Sequence, residues 1–541
     1  MPVPNAITDL SQTANSNSPS GSESPITTDN YLRAHAAFIA LSNAAMGTGT
    51  AAGFTQSGSG ATVRTVQAKL RDVVSVKDFG AVADGTTDDS AAIQACINAN
   101  SYKQIYFPAG TYKIATGLTI TNAGVYLQGA GIGNTVLLYT GTNGDAVTFY
   151  STSTATITTY LSTGGIDGIQ IRRDTTATTG SGLRLRQCFL FDVGDIRIDN
   201  FPGSYLQEGG AFISIKNIRV LMAASVYTGG YVAGSWQYKF TVAPISGGLY
   251  QSPYTTQINC LQSASAYLSE FGILIEAADG ITIANNYIAA AYTSLLRFKP
   301  AYTGVNISGV SLGVGYLDAV TQSGGTAGCV EVLDGGFGSG SLINNIDISN
   351  CTTIGNTPGK GLYSTHPNIQ SFTVDPSRFI NCTGAEIDVT SGDTSADSWI
   401  GIQLPWTPVL TFATPGNLSV SYTTQLGRFI RDTSGIVHIS FSIVTSAFTH
   451  TTASGALYLT GVPVGTPSTL GVRPYSSLQF NGITKAGYTN FSCNIASSST
   501  TVQFAASGSG VGLSEVTAAD CPTGGSIILL GTISFAAAEL G

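Results

Sequence analysis

The sequence predicts a mainly β protein: a parallel solenoid of short strands, preceded by a small helical and extended arm and followed by an antiparallel β-sandwich. Three observations carry that reading. The composition, with 65 glycines, many Ser and Thr, 43% hydrophobic and only 10% charged residues, favours turns and strands over helix bundles, which would want Ala, Leu, Glu and Lys. One compact motif, Val73 to Asn98 closed by Ile105 to Ile114, reads as strand, acidic glycine turn, short capped helix and second strand. After it, short segments that alternate apolar and polar positions recur at intervals that suit successive coils. No Gly-x-y period appears, which excludes collagen.

The elements follow in order. Residues 1–27 are rich in Ser, Asn, Pro and Thr with little to bury, so they read as an arm ordered only against a partner. Thr28 or Asp29 caps a helix through Tyr31, Leu32, Phe38, Ile39 and Leu41 that Gly47 stops, and a glycine-rich linker completes an attachment region over residues 1–60. Residues 61–77 form a neck in which Val63, Val66 and Leu70 have a/d spacing. That helix either packs on its own chain or joins several chains. In the opening motif Thr87 or Asp88 caps a helix whose Ala92, Ile93, Cys96 and Ile97 share one face. Asp78, Asp84, Asp88 and Asp89 lack the spacing of an EF-hand, so capping and turn roles are expected and no metal.

The shaft spans residues 78–400. Its repeating segments include Ile196–Asn200, Ile213–Asn217, Ile281–Asn285, Val305–Gly309 and Ile346–Asn350, each ending in an Asn or Gly suited to a left-handed turn. Steps of 17 residues from Ile196 to Ile213 and 24 from Ile281 to Val305 are read as coils. Leu404 to Leu410 reads as a linker into a C-terminal domain, residues 401–541. There Leu418–Tyr422, Val437–Ile443 and Thr501–Phe504 each offer one apolar and one polar face, as in an antiparallel sandwich.

Charge and cysteine usage exclude several classes. A net charge of −8 and a pI near 5.0 argue against nucleic acid, which selects basic surfaces. The eight cysteines contain no Cys-x-x-Cys and read as mostly buried free thiols of a protein folded in a reducing cytoplasm. The N-terminus lacks the pattern of a signal peptide, and the best apolar run, Ala34 to Met46, is too short for membrane insertion. Gly129 to Asn134 has a dinucleotide-like glycine pattern but precedes a strand-like segment, so it is expected to be a solenoid turn. No cofactor is expected.

Residues 64–114 resemble the start of bacteriophage tailspike and tail-fibre proteins of the pectate-lyase-like superfamily. The resemblance rests on Thr65 to Arg71, Val74 to Ala81, Asp84 to Asp89, Ala92-Ile-Gln94 and Phe107 to Tyr112. It implies a right-handed parallel β-helix, a homotrimer, attachment to the virion tail or an adaptor protein through the N-terminal region, and contact with bacterial surface polysaccharide. The matching motif is a structural cap and carries no catalytic residue.

The shaft is therefore the place to look for chemistry. A glycoside hydrolase needs two carboxyl groups roughly 5 Å or 6.5–9.5 Å apart, which acids on neighbouring coils could supply. Mid-shaft acids are Asp192, Asp195, Asp199, Glu208, Glu270, Glu276 and Asp279, of which Asp195, Glu208, Glu270 and Glu276 are the catalytic candidates. A lyase would use a clustered base, and Arg172, Arg173, Arg184 and Arg186 form the densest basic group. No Ser-His-Asp grouping is visible, and His366, His438 and His450 read as structural or solvated. Val226 to Phe240 breaks the coil pattern and offers Tyr227, Tyr231, Trp236 and Tyr238 as rings for stacking on sugars, or for packing between subunits. The leading expectation is a trimeric tailspike or tail fibre whose C-terminal β-domain, receptor-binding or trimerising, recognises the host surface glycan; the alternative is a depolymerase that cleaves it, and a free pectate-lyase-like enzyme ranks third.

Overall fold

The computed structural model describes residues 25–48, 53–151, 160–223, 225–227, 231–244, 249–320, 328–354, 360–382, 387–389, 398–464 and 474–536. Most of residues 1–27 therefore lie outside the described residues. Between Val74 and Ile400 the chain winds into a coil whose strands stack in three parallel columns. The first column has twelve rungs, from Val74–Ser75 and Gln104–Phe107 up to Ile369–Thr373 and Trp399–Ile400. The second has eleven, from Asp84–Asp88 to Phe379–Ile380. The third has ten, from Leu118–Ile120 to Ile387–Asp388.

Alternation along each strand turns every second side chain inward, and the parallel register stacks those side chains from rung to rung. The first column contributes Leu127, Ile166, Val193, Ile215, Ile258, Ile283 and Leu312 to one continuous core. The third contributes Leu118, Val147, Leu183, Tyr205, Tyr238, Ile273, Leu296, Val330 and Leu362. Several columns share the same sequence pattern, so the steps of 17 and 24 residues are not coils. Ile213 pairs with Phe191 in the first column, whereas Ile196 pairs with Ile218, a step of 22 residues in the second. Ile281 pairs with Val310, a step of 29, and Val305 lies in the preceding turn.

A left-handed residue recurs at one fixed position of the first column. Tyr102, Gly124, Thr163, Leu190, Phe212, Thr255, Gly280, Gly309, Asn345 and Ser371 all have φ between 45° and 90°, and the pairings that flank them place them on ten successive rungs. Three are glycines and one is Asn345, the residues that tolerate this region best; a bulky L-residue there costs roughly 1 kcal/mol or more. The regular bend turns the chain outward at the same edge of every rung. The segment-ending Asn residues behave differently: Asn200 is left-handed, but Asn217, Asn285 and Asn350 are not.

The lower end is closed by the helix Ser90–Asn98, which buries Ile93, Cys96 and Ile97. Asp89 occupies its N-cap without a side-chain cap bond. Its carboxylate accepts instead from the amides of Val82 (2.7 Å) and Ala83 (3.0 Å). Asp88 accepts from the Ser90 amide and hydroxyl, Asp84 from the amides of Thr86 and Thr87 and the Thr87 hydroxyl, and Asp78 from the Ser75 amide. The acidic turn is thus a set of backbone clamps.

Below it, Val63–Thr65 pairs with Gly53–Thr55 as a two-stranded ribbon, and Thr65 caps a helix of only five residues, Val66–Leu70. Val63, Val66 and Leu70 therefore do not share a helical seam, because Val63 belongs to a strand. The N-terminal helix runs from Pro25 to Thr48, beginning ahead of Thr28 and Asp29. Among the described residues no helix is long and apolar enough to cross a membrane.

Above the last rung, Gln403–Trp406 and Val409–Thr414 open a ten-stranded antiparallel unit in which nine strands follow one path and Val511–Glu515 pairs off it. The strand Tyr475–Asn481 passes between two halves, pairing first with Asn490–Ile495 and then with Ile528–Ala536. The halves face each other through Phe441 against Phe504 and Phe412 against Phe448, with ring centroids 6.3 and 5.8 Å apart. None of the eight cysteines is in a disulfide, and burial pushes the thiols of Cys96, Cys351, Cys493 and Cys521 up to about 12.

Two stability effects follow. Tyr238→Ala empties an interior position of the third column and lowers unfolding stability by about 3–5 kcal/mol, measured by denaturant titration, whereas Tyr231→Ala, at the surface, changes it by less than about 1 kcal/mol. Asp89→Ala leaves two backbone amides unpaired and lowers stability by about 2–3 kcal/mol. The Thr87 amide, with the Thr86 amide and Thr87 hydroxyl, holds the Asp84 carboxyl well below the usual carboxylate range. A value lowered by folding stabilises at neutral pH and is lost on acidification, so the unfolding midpoint falls below about pH 4 and Asp84→Asn flattens that fall.

Candidate functional site

The outward side of the third column is a ladder of charges closed on itself. Arg184 bonds Glu208 at 2.7 Å and Asp145 at 2.8 Å. Lys239 meets Glu276 at 2.9 Å, and the Thr241 hydroxyl donates to the same carboxylate at 2.7 Å. Arg297 holds Glu331 at 2.5 Å, and Lys360 pairs with Asp388. Burial raises the Glu331 carboxyl above its ordinary value although Arg297 opposes the shift. In register Thr241 stands between Glu208 and the residue after Ile275, so Glu208 and Glu276 are two rungs apart, about 9–10 Å along the axis.

The other two candidate acids lie elsewhere. Asp195 sits at the bend between the first and second columns and bonds Lys216 at 2.9 Å and Asn217 at 3.2 Å; the Lys216 ammonium holds its carboxyl below the usual range. Glu270 accepts from the Gly234 amide and from the Thr293 hydroxyl at 3.4 Å. Glu208, Glu270, Glu276 and Asp195 are therefore not assembled into one site. The arginines also separate. Arg172 and Arg173 belong to the second column and Arg184 and Arg186 to the third, and Arg173 is buried between Tyr139 and Phe201.

The aromatic segment does not form a sugar platform. Tyr238 is fully buried in the coil, and its hydroxyl donates to the carbonyls of Ile218 and Gln262. Tyr227 is buried and donates to the Asn200 carbonyl. Trp236 is half-buried with the Lys239 ammonium 4.8 Å from its ring. Tyr231 alone is exposed, and one of its faces already lies on Tyr292, 3.7 Å away. The glycine-rich spelling marked a departure from the strand pattern, but alternation turned Tyr238 inward.

A different surface gathers rings. Tyr160, Phe189, Phe212 and Tyr254 follow one another along the edge of the first column, at centroid separations of 5.3, 5.6 and 5.8 Å. Phe212 is one of the left-handed residues and is 46% exposed. The ladder enters a groove of 720 Å³ lined by Tyr160, Tyr250, Gln251, Tyr254, Asp279, Asn306 and Ser308, among others. Tyr250 lies parallel to Tyr302 at 4.4 Å on this side of the coil, and Gln251 donates to the Tyr160 hydroxyl. In register, Tyr254 is followed by Asp279, then Ser308, then Asn344, and the Ser308 hydroxyl donates to Asn344. Rings on one stretch, one carboxylate and a run of neutral polar groups suit a ligand with apolar faces and hydroxylated edges. The size falls within the usual range for ligand sites.

Asp279 stood among the mid-shaft acids, but Phe212, Tyr250 and Tyr254 carried no signal without the rung register. A second grouping also emerges only in three dimensions. His438 Nδ1 lies 2.7 Å from the Ser534 hydroxyl and its Nε2 3.2 Å from Asp432. His438 and Ser534 are directly paired on neighbouring strands, where backbone amides serve the ladder, so the trio is a cross-strand staple on an open sheet face.

Residues 73–295 match the family described as rhamnogalacturonase A/epimerase, pectate lyase-like. Two curated relatives are from Azotobacter vinelandii. Mannuronan C5-epimerase AlgE4 is 46% identical over 72 residues, 12% of this chain and 13% of its own length; alginate lyase 7 is 44% identical over 72 residues, 12% and 8% respectively. The chain thus spans only a small part of those relatives. Among solved structures, the Dettilon tailspike protein (gp208) aligns with 87% of this chain and 95% of its own at 15% identity and a TM-score of 0.45. PfbA, a surface adhesin of Streptococcus pneumoniae, aligns with 59% and 93% at 14% identity and a TM-score of 0.33. The family match over residues 73–295 and the three-column parallel coil agree on a pectate-lyase-like parallel β-helix for that part of the chain.

Proposed function

We propose that this chain is a bacteriophage tailspike, a virion tail component that binds bacterial surface polysaccharide along its shaft. The observation that carries this reading is the ring-lined groove on the first column, whose rings, hydroxyls and amides match the two-sided character of a sugar. The relatives named as mannuronan epimerases and an alginate lyase favour a polysaccharide as the partner. The opening motif, with its resemblance to tailspike caps, favours attachment through residues 1–60 and the neck that follows. Val63 and Leu70, 71% and 70% exposed, with Val73 and Phe79 beside the first rungs, leave apolar surface of the kind that neighbouring subunits or a tail protein cover. This supports a homotrimer.

One observation favours a second reading, cleavage of the bound glycan: Glu208 and Glu276 stand two rungs apart, at the upper end of the separation used by inverting hydrolases. Their pairing with Arg184 and Lys239 weighs against it, because both carboxylates are held by cations instead of standing free to reach a glycosidic oxygen or a water.

Binding is tested by co-sedimentation with purified lipopolysaccharide and capsule preparations from a panel of bacteria, assaying reducing ends and unsaturated products. Retention on at least one preparation without products is expected. Products that disappear in Glu276→Gln would overturn the binding-only reading in favour of cleavage, and retention on none would overturn both. Light scattering should give the mass of three chains; a mass of 55.7 kDa contradicts the trimer.

A further inference from the structure

We infer that the groove on the first column takes a neutral oligosaccharide, rich in hexose or N-acetylhexosamine, whose chain lies parallel to the shaft axis over Phe212 and Tyr254 with its hydroxyls toward Asp279. This rests on the polysaccharide reading and names the site and the ligand class. The direction follows from register. Phe189, Phe212 and Tyr254 belong to three successive rungs, and rungs repeat at about 4.8 Å, close to the length of one pyranose unit. Successive sugars of a chain along the axis therefore meet successive rungs. A chain crossing the axis would meet one ring and then leave the column.

Rings give way to polar groups within the groove. Beyond Tyr254 the same column position carries Asp279, Ser308 and Asn344. Gln251 and Asn306 line the groove beside them. A chain that lays its apolar side against Phe212 and Tyr254, whose ring planes stand nearly perpendicular, thus arrives at acceptors and donors suited to its hydroxyls.

Charge selects the class. The described residues that line the groove include no Lys or Arg, and the sole carboxylate among them is Asp279. A uronate or a phosphorylated sugar would be brought against that carboxylate with no cation to receive it. On the third column, Arg184, Lys239 and Arg297 are engaged with Glu208, Glu276 and Glu331. A neutral sugar meets no such opposition, and a carboxylate accepts two hydroxyl hydrogens well.

Phe212 adds an independent indication. Its ring stands exposed from a left-handed backbone that a glycine or asparagine would occupy with less strain. Gly280 and Gly309, at the same position on later rungs, show that the coil itself has no need of a ring there. In that conformation the ring packs edge-to-face between Phe189 and Tyr254 and leaves its outer side open to a ligand.

The test uses the full chain on an immobilised panel of neutral hexose and N-acetylhexosamine oligosaccharides, with alginate and polygalacturonate oligosaccharides as the uronate arm. Retention on the neutral arm is expected. Tyr254→Ala and Phe212→Asn should each weaken it by about tenfold or more, and Phe212→Asn should do so with no fall in unfolding midpoint. Tyr316→Ala, an exposed tyrosine of the second column, should leave retention unchanged. Preference for the uronate arm overturns the neutral class. Equal retention by wild type, Tyr254→Ala and Phe212→Asn overturns the groove while the polysaccharide reading stands. Retention on neither arm, with lipopolysaccharide or capsule still bound, overturns the ligand class alone; loss of those as well overturns the polysaccharide reading and this inference with it.

Discussion

Backbone bonds between successive rungs decide which side chain stands above which, and that register organises every surface of this shaft. Because the rungs are parallel and in step, one position of one strand becomes a line along the molecule. Inward lines make the core, with Tyr205 and Tyr238 stacked among Leu183 and Ile273. Outward lines give each column its own chemistry. The left-handed residues repeated on ten rungs of the first column keep its outward edge aligned despite steps between rungs as different as 22 and 43 residues. Inserted length is absorbed in the turns, where loop closure costs grow slowly with length.

The same rule separates attraction from repulsion. On the third column cations and acids fall close enough to neutralise one another, as Arg297 and Glu331 do in direct register. Such partly buried pairs consume the charges that a lyase or hydrolase would require. On the first column the line changes from rings to hydroxyls and amides with one carboxylate, and nothing in the groove lining compensates that charge. Exposed rings with neutral polar groups are concentrated on one face and ion pairing on another.

How much was legible in the sequence depends on the range of the interactions involved. The cap could be read because much of its chemistry is local: Asp84 bonds to amides within three residues, and Asp88 to that of Ser90 as well as the distant Ala115. Asp89 already escaped that reading, since its acceptor role reaches back to Val82 and Ala83. The solenoid showed in the alternation of Ile196 with Ile198 and Ile281 with Ile283, but the coil length did not, because all columns spell the same pattern. The five-residue helix after Thr65 was hidden because spacing alone cannot tell a heptad from a strand followed by a turn of helix. Tyr238 looked like a binding residue by composition and proved to be core by parity. Phe212 and Tyr254, 42 positions apart in sequence, became neighbours only through pairing of the rungs.

The most direct measurement is a crystal structure of the full chain with a neutral oligosaccharide retained from the panel. Sugar rings lying on Phe212 and Tyr254, with hydroxyls at Asp279 and the chain along the axis, are the predicted result. Sugar bound beside Glu208 and Glu276 on the third column, or on Tyr231 and Tyr292, with the first-column groove empty, would contradict the account.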